Sequence, residues 1–131
     1  MIRPFKVLGP PSGSARPSFD YVSASGTVTG SSNVGGLIGY AWDAYNTAGW
    51  YIYVTHSFAT GAVSGASDVG GLIGYGRYMS ISESYASGNV TGSGSQVGGL
   101  IGQLSSSYSS LYDDYASGNV TGASNVGGFI G

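Results

Sequence analysis

Apolar and polar residues alternate along this chain in short bursts. In Ala86–Thr91, Ala86, Gly88 and Val90 fall on one side while Ser87, Asn89 and Thr91 fall on the other. A period of two is the mark of a β-strand buried on one face. The buried positions are small, which suits a thin interior. A second burst sets Trp50, Ile52 and Val54 against Tyr51, Tyr53 and Thr55, and predicts a strand following a protruding loop, "YAWDAYNTAG". Nowhere do apolar residues recur at i, i+3, i+4, i+7, and the bursts are dense in Gly, Ser, Val and Thr, which are poor helix formers. The pattern predicts strands and no helix.

The bursts recur. "YASGNVTG" stands at Tyr85–Gly92 and again at Tyr115–Gly122, and four related blocks extend it: Ala24–Gly39, Ala59–Gly74, Ala86–Gly102 and Ala116–Gly131. Three blocks have 16 residues and the third has 17; their starts lie 35, 27 and 30 positions apart. Periods in this range indicate a solenoid or similar array. The extra residue falls in the Gly-rich "GSGSQ" (Gly92–Gln96), where it cannot reverse the facing of a strand. The expected architecture is all-β, a parallel β-solenoid of about four coils over residues 21–131, preceded by an extended, proline-containing segment, residues 1–20. Val28, Val63, Val90 and Val120 should stack inside. Leu37, Leu72, Leu100 and Phe129 form another column, a lateral stripe if it faces out, or core if the Gly-Gly pair kinks it inward.

Composition agrees. Charged residues make up 8% of the chain, where about 25% is usual, and like charges stacked one rung apart would repel. All four prolines lie at or before Pro17, clear of the coils, where each would remove a ladder donor. The 41% hydrophobic content, with 11 Tyr and 2 Trp, is too apolar for a solvated linker. There is no cysteine, hence no disulfide or thiolate site. Three of four cations lie in the first sixteen residues, so no basic stripe serves nucleic acid. No run approaches the ~20 apolar residues of a membrane helix, and the opening residues do not form a secretory h-region.

"VGGLIG", preceded by "YASGNVTG", resembles the GLUG motif, whose core here is Gly36–Gly39, Gly71–Gly74, Gly99–Gly102 and, with Phe129 for Leu, Gly128–Gly131. The resemblance covers most of residues 21–131. GLUG repeats occur in large bacterial surface proteins, including filamentous-haemagglutinin-type adhesins and immunoglobulin A-cleaving metallopeptidases. The resemblance therefore implies an extracellular or cell-surface, non-catalytic module. Peptidase chemistry is not implied, because His56 is the one histidine and no H-E-x-x-H motif exists. The chain reads as no enzyme, with no metal and no cofactor.

Several columns carry candidate chemistry. Tyr21, His56, Glu83 and Asp113 align, with Asp114 alongside; this is either a carboxylate pair one coil apart, near the ~5 Å spacing of retaining glycosidases, or a solvated corner. Asn33, Asp68, Gln96 and Asn125 occupy the place of calcium ligands in β-roll repeats, but with one carboxylate. Asn89 and Asn119 head N-x-T sequons at an outward position shared with Thr27 and Ala62. Thr29, Ser64, Thr91 and Thr121 form a hydroxyl rank, but ice binding would need a second full Thr rank. The connector aromatics Tyr40, Trp42, Tyr45 and Trp50 either form a partner or glycan surface or fold back on the wall. Ile2, Phe5, Val7 and Leu8, with Phe129 and Ile130, are candidate contacts for end-to-end stacking of copies. The leading expectation is a structural and adhesive module whose partners are other coils, copies of itself, or a surface glycan or protein. The alternatives are an end-to-end filament and a carbohydrate-binding module using the Tyr40–Tyr53 aromatics.

Overall fold

The computed structural model describes residues 6–8, 16–42, 51–106 and 108–131, the first three by main chain alone. All regular elements are short β-strands. Strand β1 (Lys6–Leu8) comes first. Coil 1 contains β2 (Ser18–Asp20), β3 (Ser23–Ala24), β4 (Val28–Thr29), β5 (Ser32–Gly35) and β6 (Ile38–Trp42). Coil 2 contains β7 (Ile52–Thr55), β8 (Phe58–Ala59), β9 (Val63–Gly65), β10 (Ser67–Gly70) and β11 (Ile73–Gly76). Coil 3 contains β12 (Met79–Ser82), β13 (Tyr85–Ala86), β14 (Val90–Gly92), β15 (Ser95–Gly98) and β16 (Ile101–Leu104). Coil 4 contains β17 (Ser110–Tyr112), β18 (Tyr115–Ala116), β19 (Val120–Thr121) and β20 (Ser124–Gly127), then a bridge from Ile130 to Ile101.

Equivalent strands of successive coils pair in parallel to make five walls of four strands each: β2-β7-β12-β17 (wall I), β3-β8-β13-β18 (wall II), β4-β9-β14-β19 (wall III), β5-β10-β15-β20 (wall IV) and β1-β6-β11-β16 (wall V). This is a four-coil parallel β-solenoid. Val28 pairs with Val63, Val63 with Val90 and Val90 with Val120, as the block alignment requires. The extra residue of the third block lies at Ser93–Gly94, between β14 and β15, and both its amides bond the coil below (Ser93 N–H to Gly65 O, 2.9 Å; Gly94 N–H to Ala66 O, 2.7 Å). The insertion leaves every strand in register.

One sequence expectation changes. The alternating burst at Ala86–Thr91 is not one strand, since β13 and β14 belong to different walls and Ser87–Asn89 turns the corner between them. Its facing survives the turn: Ala86 and Val90 are buried, while Ser87, Asn89 and Thr91 are exposed. Two described stretches of the extended segment 1–20 join the stack. Lys6, Val7 and Leu8 pair with Tyr40, Ala41 and Trp42, and Ser18–Asp20 pairs with Tyr53–Thr55.

The interior has two lobes. Val28, Val34, Val63, Val69, Val90 and Val97 fill a narrow one, and Ile, Leu, Met and Ala side chains, among them Ile38, Ile73, Met79 and Ile101, fill a wider one. Glycine and alanine columns pinch the section between them. A Cβ on Gly71 would fall onto the carbonyl oxygen of Gly99 in the next coil and within 2.7 Å of the Ala86 methyl; Gly36 and Gly99 are placed likewise. The first glycine of each pair is excluded differently: a Cβ on Gly35, Gly70 or Gly98 would strike the carbonyl oxygen of the isoleucine three residues on. The Gly-Gly pair therefore kinks each coil and turns the following residue inward. Leu72 and Leu100 are fully buried, and Leu37 and Phe129 pack against the same core. The Leu column is core, not a lateral stripe.

Candidate functional site

The exposed chemistry gathers where wall I turns into wall II. Tyr21, His56, Glu83 and Asp113 stand at that turn with positive φ of 55°, 48°, 51° and 53°. This left-handed conformation is uncommon for residues other than glycine. Here each coil repeats the turn, so the four side chains form a column. A second such column, Asn33, Asp68, Gln96 and Asn125 (φ 53°, 51°, 55° and 49°), kinks wall IV.

The turn interrupts the main-chain ladder, and buried hydroxyls repair it. Ser57 Oγ accepts the Val22 N–H (3.2 Å) and donates to Thr55 O (2.7 Å). Ser84 Oγ accepts the Ser57 N–H (3.1 Å) and donates to Ser82 O (2.9 Å). In coil 4 a carboxylate takes over: Asp114 accepts the Ser84 N–H with Oδ1 (2.9 Å) and the Tyr112 N–H with Oδ2 (3.0 Å). Burial nevertheless pushes the Asp114 carboxyl up, partly offset by those two bonds. Ser57 and Ser84 are fully buried, and unpaired amides there would be costly.

Outward of these serines, His56 lies between two carboxylates from different coils. Its Nδ1 is 3.0 Å from Asp20 Oδ1 in coil 1, and its Nε2 is 3.2 Å from Glu83 Oε2 in coil 3. Tyr21 stacks on the imidazole at 4.5 Å with 2° between planes. Thr55 Oγ1 donates to Asp20 Oδ1 at 2.8 Å. The hydrogen bonds from Thr55 and then His56 hold the Asp20 carboxyl below its usual range, while the bond to Asp20 raises His56 above the ordinary imidazole value. Glu83 thus faces the histidine, not an open cleft shared with Asp113.

Wall II beside the turn carries an aromatic ladder. Phe58 stacks on Tyr85 (4.9 Å, 3°) and Tyr85 on Tyr115 (4.8 Å, 5°), the spacing of the rungs themselves. Tyr85, the middle ring, has a ring stacked on each face. Tyr115 is 53% exposed, and Tyr112 and Tyr21 nearby are 68% and 75% exposed.

Of the aromatic residues expected to form a recognition surface, those described lie on two walls. Tyr40 and Trp42 lie on β6 in wall V, whereas Tyr53 lies on β7 in wall I. The Tyr40 ring stacks on Tyr75 at 5.0 Å, and burial pushes its phenol up. Trp42 is half-buried, with an indole nitrogen enclosed and without a hydrogen-bond partner among the described residues. Tyr45 and Trp50 lie outside the described residues, as do Ile2 and Phe5. Val7 and Leu8 belong to the β1 main chain paired with β6. Phe129 and Ile130 pack against the wider core.

Of the other columns, Thr29 Oγ1 and Ser64 Oγ share a hydrogen bond at 3.1 Å, and the rank continues by pairing through Thr91 to Thr121. Asn89 and Asn119 are exposed and joined, Asn89 Oδ1 accepting the Asn119 N–H at 3.0 Å. Asp68 has one buried oxygen without a partner among the described residues, and burial raises its carboxyl. The described residues hold no group of three or more His, Asp or Glu placed to hold a metal ion, and no helix among them is long and apolar enough to cross a membrane.

Sequence reasoning found the Tyr21–His56–Glu83–Asp113 column but missed Asp20, the buried Ser57 and Ser84, and the Phe58–Tyr85–Tyr115 ladder. The signal was present at fixed offsets at the start of the second, third and fourth blocks: "SFA", "SYA" and "DYA" place the ladder-repairing side chain first and the stacked ring second.

Residues 65–91 match the model of the GLUG motif. No curated protein and no solved structure matches the chain. The matched segment runs from Gly65 to the residue before Gly92, its partner one coil on, and so spans one full turn of the solenoid, kinked glycine pair, polar corner and the middle aromatic rung, Tyr85, included. The structural repeat and the sequence motif are the same unit, and this chain carries the GLUG motif.

Proposed function

We propose that the chain is a rigid, non-catalytic structural and adhesive module of an extracellular or surface-attached bacterial protein. The observation that carries this reading is the glycine column Gly36, Gly71 and Gly99, where each coil admits the next one through main-chain contact. Such a unit adds length by repetition, about 4.8 Å per coil, and needs no ligand or cofactor to do so. The exterior fits the role: apart from the acidic corner, its outward columns are mostly hydroxyl, amide and aromatic.

Two experiments test the two halves of the proposal. Small-angle scattering should show the long dimension growing by about 5 Å when residues 86–115 are duplicated, with the cross-section constant. Growth in all dimensions would contradict a stacking rod. For the adhesive half, cells displaying the chain should bind host-matrix proteins or glycans above cells displaying a scrambled chain. Equal binding would leave only the structural role. The carbohydrate-binding alternative predicts that Trp42→Ala lowers retention on a glycan array without changing the melting temperature.

A further inference from the structure

We propose that the turn between walls I and II is a proton-operated clasp, in which an imidazolium at His56 ties coil 1 to coil 3 by donating one N–H to Asp20 and the other to Glu83. Both ring nitrogens face carboxylate oxygens, at 3.0 and 3.2 Å. A carboxylate offers only acceptors. Both contacts are hydrogen bonds only when both nitrogens carry protons. A neutral imidazole has one N–H, and its second nitrogen would turn a lone pair towards the other carboxylate. Asp20 is also held by Thr55 and makes the shorter contact, so deprotonation releases Glu83 and with it the tie to coil 3.

The groups facing the ring set the response. Asp20 approaches from β2, Tyr21 stacks from coil 1, Thr55 precedes it on β7, and Glu83 follows β12. Asp113 holds the next position of the same column, after β17. Losing the imidazolium therefore leaves Asp20, Glu83 and Asp113 along one turn with no cation between them. His56 is 37% exposed at its side chain, so its proton exchanges freely with solvent. The sign follows from linkage. A histidine raised in the folded state stabilises below the unfolded imidazole value of about 6.5, and that stabilisation is lost as pH rises through the folded value. Asp20, held low, keeps its contribution until strong acid protonates it. The clasp is closed in mild acid and opens as the medium becomes alkaline.

The test is hydrogen exchange by NMR at pH 5.5 and 8.5, corrected for intrinsic rates, alongside nitrogen-15 titration of the imidazole. Protection of the Tyr21, Val22 and His56 amides should fall roughly two- to fivefold at the higher pH, the scale of exposed ion pairs. His56→Gln should remove that dependence. Glu83→Gln, which leaves the ring in place, should lower the imidazole midpoint and shrink the fall. Protection in the parent chain that does not change with pH would overturn the clasp. So would an imidazole midpoint indifferent to both Glu83→Gln and Asp20→Asn.

Discussion

A methyl group added at one glycine separates stacking from mere flexibility. Gly71→Ala places a Cβ against the Gly99 carbonyl and the Ala86 methyl, whereas the same atom on Gly128 meets nothing within 4 Å. Neither glycine has a positive φ that would itself strain an alanine. Gly71→Ala should therefore destabilise by roughly 1–3 kcal/mol or more through overpacking, and Gly128→Ala in this chain should stay within about 0.5 kcal/mol. Urea unfolding of the two variants checks this; equal losses would mean that the motif's second glycine is not a stacking position. Val90→Asp should be worse than either. Val90 is fully buried in the all-valine lobe, and an unpaired carboxylate there should cost roughly 4 kcal/mol or more, seen as loss of the cooperative transition.

At the scale of elements, the turns hold the walls together through side chains, not through the strands alone. Ser84 closes two hydrogen bonds at the corner, one from the Ser57 amide and one to the Ser82 carbonyl. Ser84→Ala leaves the Ser57 amide unpaired in a buried place, while the Ser82 carbonyl keeps the His56 N–H (3.1 Å), and should cost roughly 1–3 kcal/mol in chemical denaturation. A variant as stable as the parent would show that water replaces the hydroxyl. The ladder on wall II is a separate contribution. Tyr85 stacks on both Phe58 and Tyr115, and each such pair adds about 0.5–1.5 kcal/mol beyond area burial. Tyr85→Phe should be nearly silent and Tyr85→Ala clearly destabilising.

For the whole molecule, each coil contacts chiefly its neighbours, so stability should vary along the axis. Val69 and Val97 are fully buried in coils 2 and 3, while the equivalent Val126 of coil 4 is 44% exposed. Amide exchange should accordingly be slowest in coils 2 and 3 and faster in coil 4; uniform protection would point to a single all-or-none unit. Thermal melting should not respond to EDTA or added calcium, because the described residues hold no group of three or more His, Asp or Glu placed to hold a metal ion. A rise of several degrees with calcium would reveal a site, since binding to the folded state must stabilise it.

Periodicity in the chain determined the class of fold, the number of coils, the register and the identity of the inward valines. These were legible because a solenoid makes each residue's neighbour the same residue one repeat away, so an alignment of blocks is already a contact map. The polar column at Tyr21, His56, Glu83 and Asp113 was legible for the same reason. Tertiary structure decided what runs around a coil and not along the stack. Whether Ala86–Thr91 is one strand or two depends on a corner that period-two alternation passes through unchanged. Whether Leu72 and Leu100 face in or out depends on the kinks at Gly70–Gly71 and Gly98–Gly99, where the second glycine has no room for a side chain against the next coil's carbonyl. The pairing of His56 with Asp20 joins a repeated position to one that differs in every coil, Asp20, Thr55, Ser82 and Tyr112. No repeat announces such a contact. It forms because one turn of left-handed backbone points the imidazole outward, while the rung spacing brings a carboxylate from the coils on either side within reach of its two nitrogens.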